Sequence, residues 1–340
     1  KERINMKSFK ELFKSLPVAF TGLALGVSGV SGVLAVILSP IFLYVGNFIS
    51  LMLLLPIIIK NILHFEVFKE ELKHPTLGSF IPTLDMALMN FSVILYGFSA
   101  TLGKGLWLLC IVLHFIFAVS FIYHRFNSWD IHHMVPSWFV PPIGIVVACV
   151  DSTLMGMPHL SHALFYIGFI FYIIMLPMML YRIIFVERID DTRLPTFAIM
   201  AAPPNLCLAG YLVAFSNPNP VIINFLFPLG LFMTALIYIA MFRIFKISFT
   251  PVYASFTFPL AISSTAILKY SNYIKAFDLG KGEFWYTFAC VAATLATILI
   301  TGIFIKMMIF NEPFYHRHTA FNWSILDMCP NQTICCISPN

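Results

Sequence analysis

The stretch Ala254–Thr265, ASFTFPLAISST, lies in an apolar run long enough to cross a bilayer. Yet it carries a proline with hydroxyl residues on both sides and a phenylalanine directly before that proline. Proline removes an intrahelical hydrogen bond and bends a helix. A backbone group freed in this way cannot face lipid, so it must face protein or a wet cavity. The stretch therefore predicts a membrane segment broken beside a bulky ring and turned inward.

The rest of the chain has the composition of a protein whose solvent is a bilayer. Its 340 residues are 60% hydrophobic and 10% charged, whereas soluble domains carry about 25% charged residues. The net charge is +5, but Lys and Arg lie between apolar runs rather than in one patch, which excludes a nucleic-acid surface. A crossing helix needs roughly 20 apolar residues. Ten such runs fall near 17–38, 43–63, 81–101, 105–123, 136–155, 162–185, 195–215, 220–242, 251–270 and 284–308. Residues 1–16 read as a cytoplasmic segment, 17–310 as one transmembrane domain and 311–340 as a cytoplasmic tail. The first run is of spanning length, so it reads as a membrane segment and not as a cleavable signal peptide.

Connector charge sets the expected orientation. With the N-terminus inside, sixteen of the 20 Lys and Arg fall in inner connectors, and four (Lys104, Lys269, Lys275 and Lys281) in outer ones. Cytoplasmic connectors collect basic residues, so both termini are expected on the cytoplasmic side of a plasma (bacterial inner) membrane.

Odd and even spans differ in kind. The odd spans contain LPVAFTGLALGVSGVSG (16–32), IPTLDMALMNFS (81–92), VPSWFVPPIGIVVAC (135–149) and LPTFAIMAAPPNLCLAGYL (194–212), as well as the opening stretch. Each combines proline with small or hydroxyl residues, while even spans are plainer, despite Pro56, Pro177 and Pro228. Small residues let backbones approach closely. An all-α integral membrane protein follows, with ten helices in five hairpins and an inner ring of odd helices around a pore. An ordinary bundle with scattered kinks and no pore is the other reading of this composition. Pro82, Pro141, Pro142, Pro203, Pro204 and Pro259 are the expected kinks. Gly22, Gly26 and Gly29 recur on one helical face, which is either a close-packing seam or a smooth pore wall.

In the ninth span, Ser255, Ile262, Thr265 and Lys269 share the face of Phe258 at helical spacing. An aromatic ring facing a narrow lumen closes it by bulk and dewetting. The alternative is that Phe258 only packs, in a chain with 36 Phe.

Four stretches together resemble the tellurite-resistance/dicarboxylate transporter family: LPVAFTGLALGVSG, VPSWFVPPIGIVVA, LPTFAIMAAPPNLCLAGYL and SFTFPLAISSTAILKY. That family includes TehA-type bacterial channels, plant guard-cell slow anion channels, and yeast malate and sulfite permeases. The likeness covers roughly residues 12–310. It implies five hairpins around a central pore, a homotrimer with one pore per protomer, and a phenylalanine plug on the ninth helix, which the TFP of this chain places at Phe258. It departs from the plant members, which carry long, phosphorylatable cytoplasmic termini, in that about sixteen residues precede the first span here, so kinase gating of that kind is not expected.

An anion is the expected cargo, chloride or nitrate among them. No ring of carboxylates is present to attract cations. Lys269, Lys275 and Lys281 stand against Asp278 and Glu283 at the outer mouth. The hydroxyls of Ser255, Thr257 and Thr265 can partly replace water around an ion. Asp85 and His114 are the ionisable residues deep in spans, which are functional candidates by default. Helix packing is the plainer reading of His114, and pairing with an Arg or Lys that of Asp85. The rival is a proton-coupled carrier for dicarboxylate, sulfite or tellurite-type anions. High-affinity dicarboxylate binding needs basic groups, and no Arg is expected deep in a span.

A membrane enzyme is not expected. His124, His132 and His133 are separated by the fifth span from His159 and His162, so they cannot share a metal. Neither a metal nor a cofactor is expected. Cys110, Cys149, Cys207 and Cys290 read as small buried hydrophobes, whereas Cys329, Cys335 and Cys336 lie in the tail.

Overall fold

The computed structural model describes residues 13–310. The tail cysteines and most of the N-terminal segment lie outside the described residues. The chain clusters into two units, Lys1–Ile303 and Phe304–Asn340. Every regular element among the described residues is a helix.

The first hairpin is α1 (Phe20–Ile37) and α2 (Ile41–Leu63), followed by a short helix α3 (Phe65–Lys73). The second hairpin is α4 (Thr83–Phe98) and α5 (Ala100–Asn127), turned at Ser99, whose hydroxyl caps α5. The fifth position is taken by Pro136–Val150, a run of 3-10 and short α turns, which is followed by α6 (Pro158–Phe185). The 3-10 stretch Leu194–Ala201 leads into α7 (Ala202–Ala214), which is paired with α8 (Pro220–Ile244). The 3-10 stretch Pro251–Phe256 leads into α9 (Thr257–Ala276), and α10 (Gly282–Phe310) closes the fifth hairpin. Among the described residues, nine segments are long and apolar enough to cross a membrane, and the shorter Pro136–Val150 is the tenth of the expected runs.

Burial separates the two classes of span. In the first, third, seventh and ninth, 61 to 94% of the apolar window is buried inside the protein; in the even spans the figure is 28 to 33%. The outward faces of the even helices carry Ile116, Val119, Ile170 and Ile298, all more than half exposed, as suits contact with lipid. The odd spans thus form the interior.

The prolines explain this sorting. Those of the odd spans stand at junctions. Pro82 lies between the turn Leu77–Phe80 and α4. Pro141 and Pro142 open the turn Val140–Ile143, and Pro203 and Pro204 lie in the first turn of α7. Pro259 lies in the first turn of α9, directly after a 3-10 stretch. In a first turn the missing N–H has no helical partner to lose. They therefore mark a change of helix type. The prolines inside α-helices are Pro56, Pro177 and Pro228, in even spans.

Polar side chains tie the inner spans together. Thr83 Oγ1 lies 2.7 Å from Thr21 Oγ1, and Asn90 donates to Ser28 Oγ at 2.9 Å, which joins α4 to α1. Ser79 donates to Ser137 at 2.7 Å. Asn205 Nδ2 lies within 3.0 Å of both Thr234 Oγ1 and Ser263 Oγ, which joins α7, α8 and α9. Each replaces a hydrogen bond that lipid cannot offer.

Cations close the ends of three even helices. Lys60, 1% exposed, pairs with Glu71 of α3 and donates to the Leu16 carbonyl at 2.8 Å. Arg125 donates to the Lys73 carbonyl and lies over the Phe121 and Trp138 rings. Arg182 donates to the Glu187 and His132 carbonyls. Positive groups at helix C-termini also meet the negative end of the helix dipole.

Gly26 is a contact point between α1 and α9. A Cβ there would overlap the Thr257 side chain and lie 2.8 Å from its carbonyl carbon. At Gly29 the nearest atom would be the Ala261 Cβ at 3.3 Å. Gly26→Ala is therefore expected to cost about 1–3 kcal/mol of stability, and Gly29→Ala clearly less. Thermal melting of the two purified variants checks the order, and equal melting would contradict the seam.

Candidate pore and its constriction

Two cavities lie along the odd spans; the first, third, fifth and ninth spans line both, and the second cavity is also lined by Leu43 and Asn47 of α2. The inner cavity, about 30 Å³, is lined by residues of all five odd spans and by none from an even span. Gly22, Met86, Gly144, Leu206 and Ser255 represent one span each. Its volume is close to that of one liquid water. The outer cavity, about 120 Å³, is lined by Ser28, Asn47, Asn90, Asp151, Thr265 and Lys269, with apolar residues between them.

The order of lining residues fixes the direction of the helices. Gly22 precedes Ser28, Met86 precedes Asn90, Gly144 precedes Val147 and Ser255 precedes Ile262, with the first of each pair on the inner cavity and the second on the outer. The first, third, fifth and ninth spans therefore run parallel, and the cavities stack along them. One residue lines both cavities: Phe258. Its side chain is almost fully buried, at 9% exposure.

The residues singled out from sequence divide as follows. Gly22 and Ser255 line the inner cavity, with Pro203 and Pro259. Gly29, Ile262, Thr265 and Lys269 line the outer one. Gly26 lines neither, because Thr257 covers it; the expectation of a pore-wall glycine at that position is corrected to a packing seam. Thr257 is likewise turned away, fully buried, with its hydroxyl 3.0 Å from the Gly22 carbonyl and 2.7 Å from that of Ala254. Ser255 differs: its buried hydroxyl has no hydrogen-bond partner among the described residues. Pro82, Pro141, Pro142 and Pro204 lie outside both linings.

No charged residue lines the inner cavity. The outer one has two, Lys269 and Asp151, of opposite sign. Asp151 was not among the sequence candidates. The signal was a carboxylate immediately after the apolar run GIVVACV. At the outer connector Lys275 pairs with Glu283 at 2.8 Å and lies over the Tyr286 ring, so its charge is already answered.

Asp85 and His114 pair with each other, not with an Arg or Lys. His114 Nδ1 lies 2.6 Å from Asp85 Oδ1, and Nε2 lies 3.0 Å from the Pro141 carbonyl. A carbonyl only accepts, so Nε2 carries a proton. A deprotonated Nδ1 facing a carboxylate at that distance would repel it, so a second proton lies between the two groups. The pair is thus neutral as a unit. It joins α4, α5 and the broken fifth span and lines neither cavity. His162 packs on Phe215 and meets the Ala214 carbonyl at 2.9 Å.

A sequence model described as a voltage-dependent anion channel, that of the SLAC1 family, matches residues 15–308. The chain belongs to the SLAC1 family. Two proteins of Methanocaldococcus jannaschii, each described as an uncharacterized transporter, are also similar. One is 30% identical over 167 residues, covering 45% of this chain and 48% of the relative. The other is 26% identical over 194 residues, covering 53% and 55%. The chain spans about half the length of these curated relatives. Family and apolar helices together make this a multi-pass membrane protein of an anion-transport family.

The buried pair gives a stability prediction. Removing one partner of a buried ion pair costs about 3–5 kcal/mol, whereas replacing both with apolar groups is often neutral. His114→Leu alone should therefore melt well below the wild type, and Asp85→Leu with His114→Leu should recover most of the loss. A double variant no more stable than the single would mean that the pair is needed for more than charge balance.

Proposed function

We propose that this SLAC1-family protein is an anion-selective channel for small monovalent anions such as chloride and nitrate, gated by Phe258. The observation that carries the reading is that Phe258 alone lines both stacked cavities. Its ring stands between an inner cavity of about one water volume and a wider, polar outer one. A hydrophobic constriction of this kind closes a pore by bulk and dewetting.

Anion preference follows from the lining. On this path an ion meets the unpartnered hydroxyl of Ser255, then the ring, then Thr265, Asn90 and Lys269. None of these holds an anion as a fixed charge deep in the path, so the cost of removing water decides. Weakly hydrated anions such as nitrate and iodide are expected to pass more readily than chloride. Asp151 opposes Lys269 in the outer cavity and is proposed to lower the local anion concentration.

The same reading places both termini in the cytoplasm of a plasma membrane, on the excess of Lys and Arg in the inner connectors. It assigns a homotrimer with one pore per protomer, on the family resemblance. A proton-coupled carrier for dicarboxylate, sulfite or tellurite-type anions is the second reading. The carboxylate of Asp151 beside the path favours it, because a proton can be taken up there.

Recording wild type and Phe258→Ala in chloride, nitrate and malate separates the two. A large anion current in the variant with little in the wild type is expected. Silence in both, with proton-dependent uptake of labelled substrate, would establish the carrier. Lys269→Gln should lower, and Asp151→Asn raise, the current of the open variant. One unit charge about 10 Å from the path in water changes local anion concentration by about twofold.

A further inference from the structure

Arginines gather in a second place, away from the pore. A cavity of about 310 Å³ lies where α6 and α8 end, beneath the connector 186–193. Arg182, Arg188 and Arg243 line it, and no carboxylate does. The remaining wall is apolar, including Ile183, Val186 and Phe197. It shares no residue with either pore cavity, and it is bounded by two even helices and the start of the 3-10 stretch Leu194–Ala201.

The charges there are incompletely answered. Arg182 is 2% exposed. Its Nη1 and Nη2 donate to the carbonyls of Glu187 at 2.6 Å and His132 at 3.3 Å. Its Nε–H has no partner among the described residues. Carbonyl dipoles offset only part of the cost of a buried guanidinium; an anion offsets the rest. Asp190 is engaged by Arg193, and Asp191 pairs with the exposed Arg188 at 2.6 Å, so among the described residues Arg188 is the cavity arginine that has a carboxylate partner. Among the described residues, Arg243 takes part in no ion pair.

We propose that this cavity binds the phosphate headgroup of an anionic glycerophospholipid. Three guanidinium groups suit a phosphate, which accepts bidentate hydrogen bonds from arginine. Basic pockets between membrane helices hold lipid headgroups in this way. The apolar wall and the position favour a lipid over a soluble phosphate. On the flanking helices Ile184, Phe185, Ile239 and Phe242 are 64 to 79% exposed, a surface for acyl chains beside the arginines.

The test uses the full chain in neutral detergent, with retained ligand read by native mass spectrometry. The probes are dioleoylphosphatidylglycerol, dioleoylphosphatidylcholine and sn-glycerol 3-phosphate. Phosphatidylglycerol is expected to bind more tightly than the other two. Arg188→Gln and Arg243→Gln, both at exposed positions, should each weaken it about fivefold. Lys246→Gln, exposed and outside the cavity, should leave it unchanged. Equal retention of the two lipids, or phosphatidylglycerol binding indifferent to both arginine variants, would overturn the site. Glycerol 3-phosphate bound as tightly as phosphatidylglycerol would overturn the lipid and leave a soluble phosphate as the ligand. None of these outcomes depends on whether the pore conducts.

Discussion

A bilayer offers no partner to a freed backbone amide or carbonyl, and the rest of this structure depends on that constraint. The 3-10 stretches and short turns of the odd spans release backbone groups from regular α pairing. Such segments are stable only where protein or water can meet them. The four spans that carry them, together with the glycine-rich α1, meet one another, and the plain helices are left to face lipid. The Pro141 carbonyl shows the principle in one bond: it lies in the broken fifth span and is met by His114 from α5. The interior that results is closely packed by small residues and bound by hydroxyls, yet it holds stacked cavities at its centre.

The cations at the ends of α2, α5 and α6 tie the helix ends to the segments that flank the spans. The basic residues that end these helices also hold the carbonyls of Leu16, Lys73 and Glu187 in place. Lys60, Arg125 and Arg182 are buried, so they are clamps more than surface charges. Neutralising one would leave unpaired carbonyls at a helix end that lies close to the headgroups.

Much of this was legible in the sequence because it was written as composition. The contrast of proline and small residues in odd spans with plain apolar even spans is a one-dimensional record of which helices face lipid. The part of the Phe258 stripe formed by Ile262, Thr265 and Lys269 was legible because helical spacing is regular within α9, whereas Ser255 lies before it in the 3-10 stretch. What was not legible depends on the approach of segments distant in sequence. Gly26 shares a face with Gly22 and Gly29, and only the position of Thr257 on another helix sends it to a seam. Asp85 and His114 are 29 residues apart on separate helices, so their pairing could not be read from spacing. The segmentation of the fifth span followed from Pro141 and Pro142, but its extent did not. The amphipathic α3, with Glu66–Lys69 and Glu70–Lys73 pairs, was visible as FEVFKEELK and was passed over as connector.

The arrangement of charge along the proposed path has a physical logic of its own. A fixed cation beside the constriction would hold an anion tightly, and tight binding slows release in a narrow pore. Here the nearest cation to the ring in the outer cavity is Lys269, eleven positions further along α9, which at 1.5 Å per residue is about 16 Å of helix. Asp151 lines the same cavity and offsets it. An ion at Phe258 would therefore be held by hydroxyl and amide dipoles, whose attraction falls quickly with distance. Such a site discriminates by the cost of shedding water more than by charge density. That favours throughput over affinity, which is the balance a channel needs and a high-affinity carrier does not.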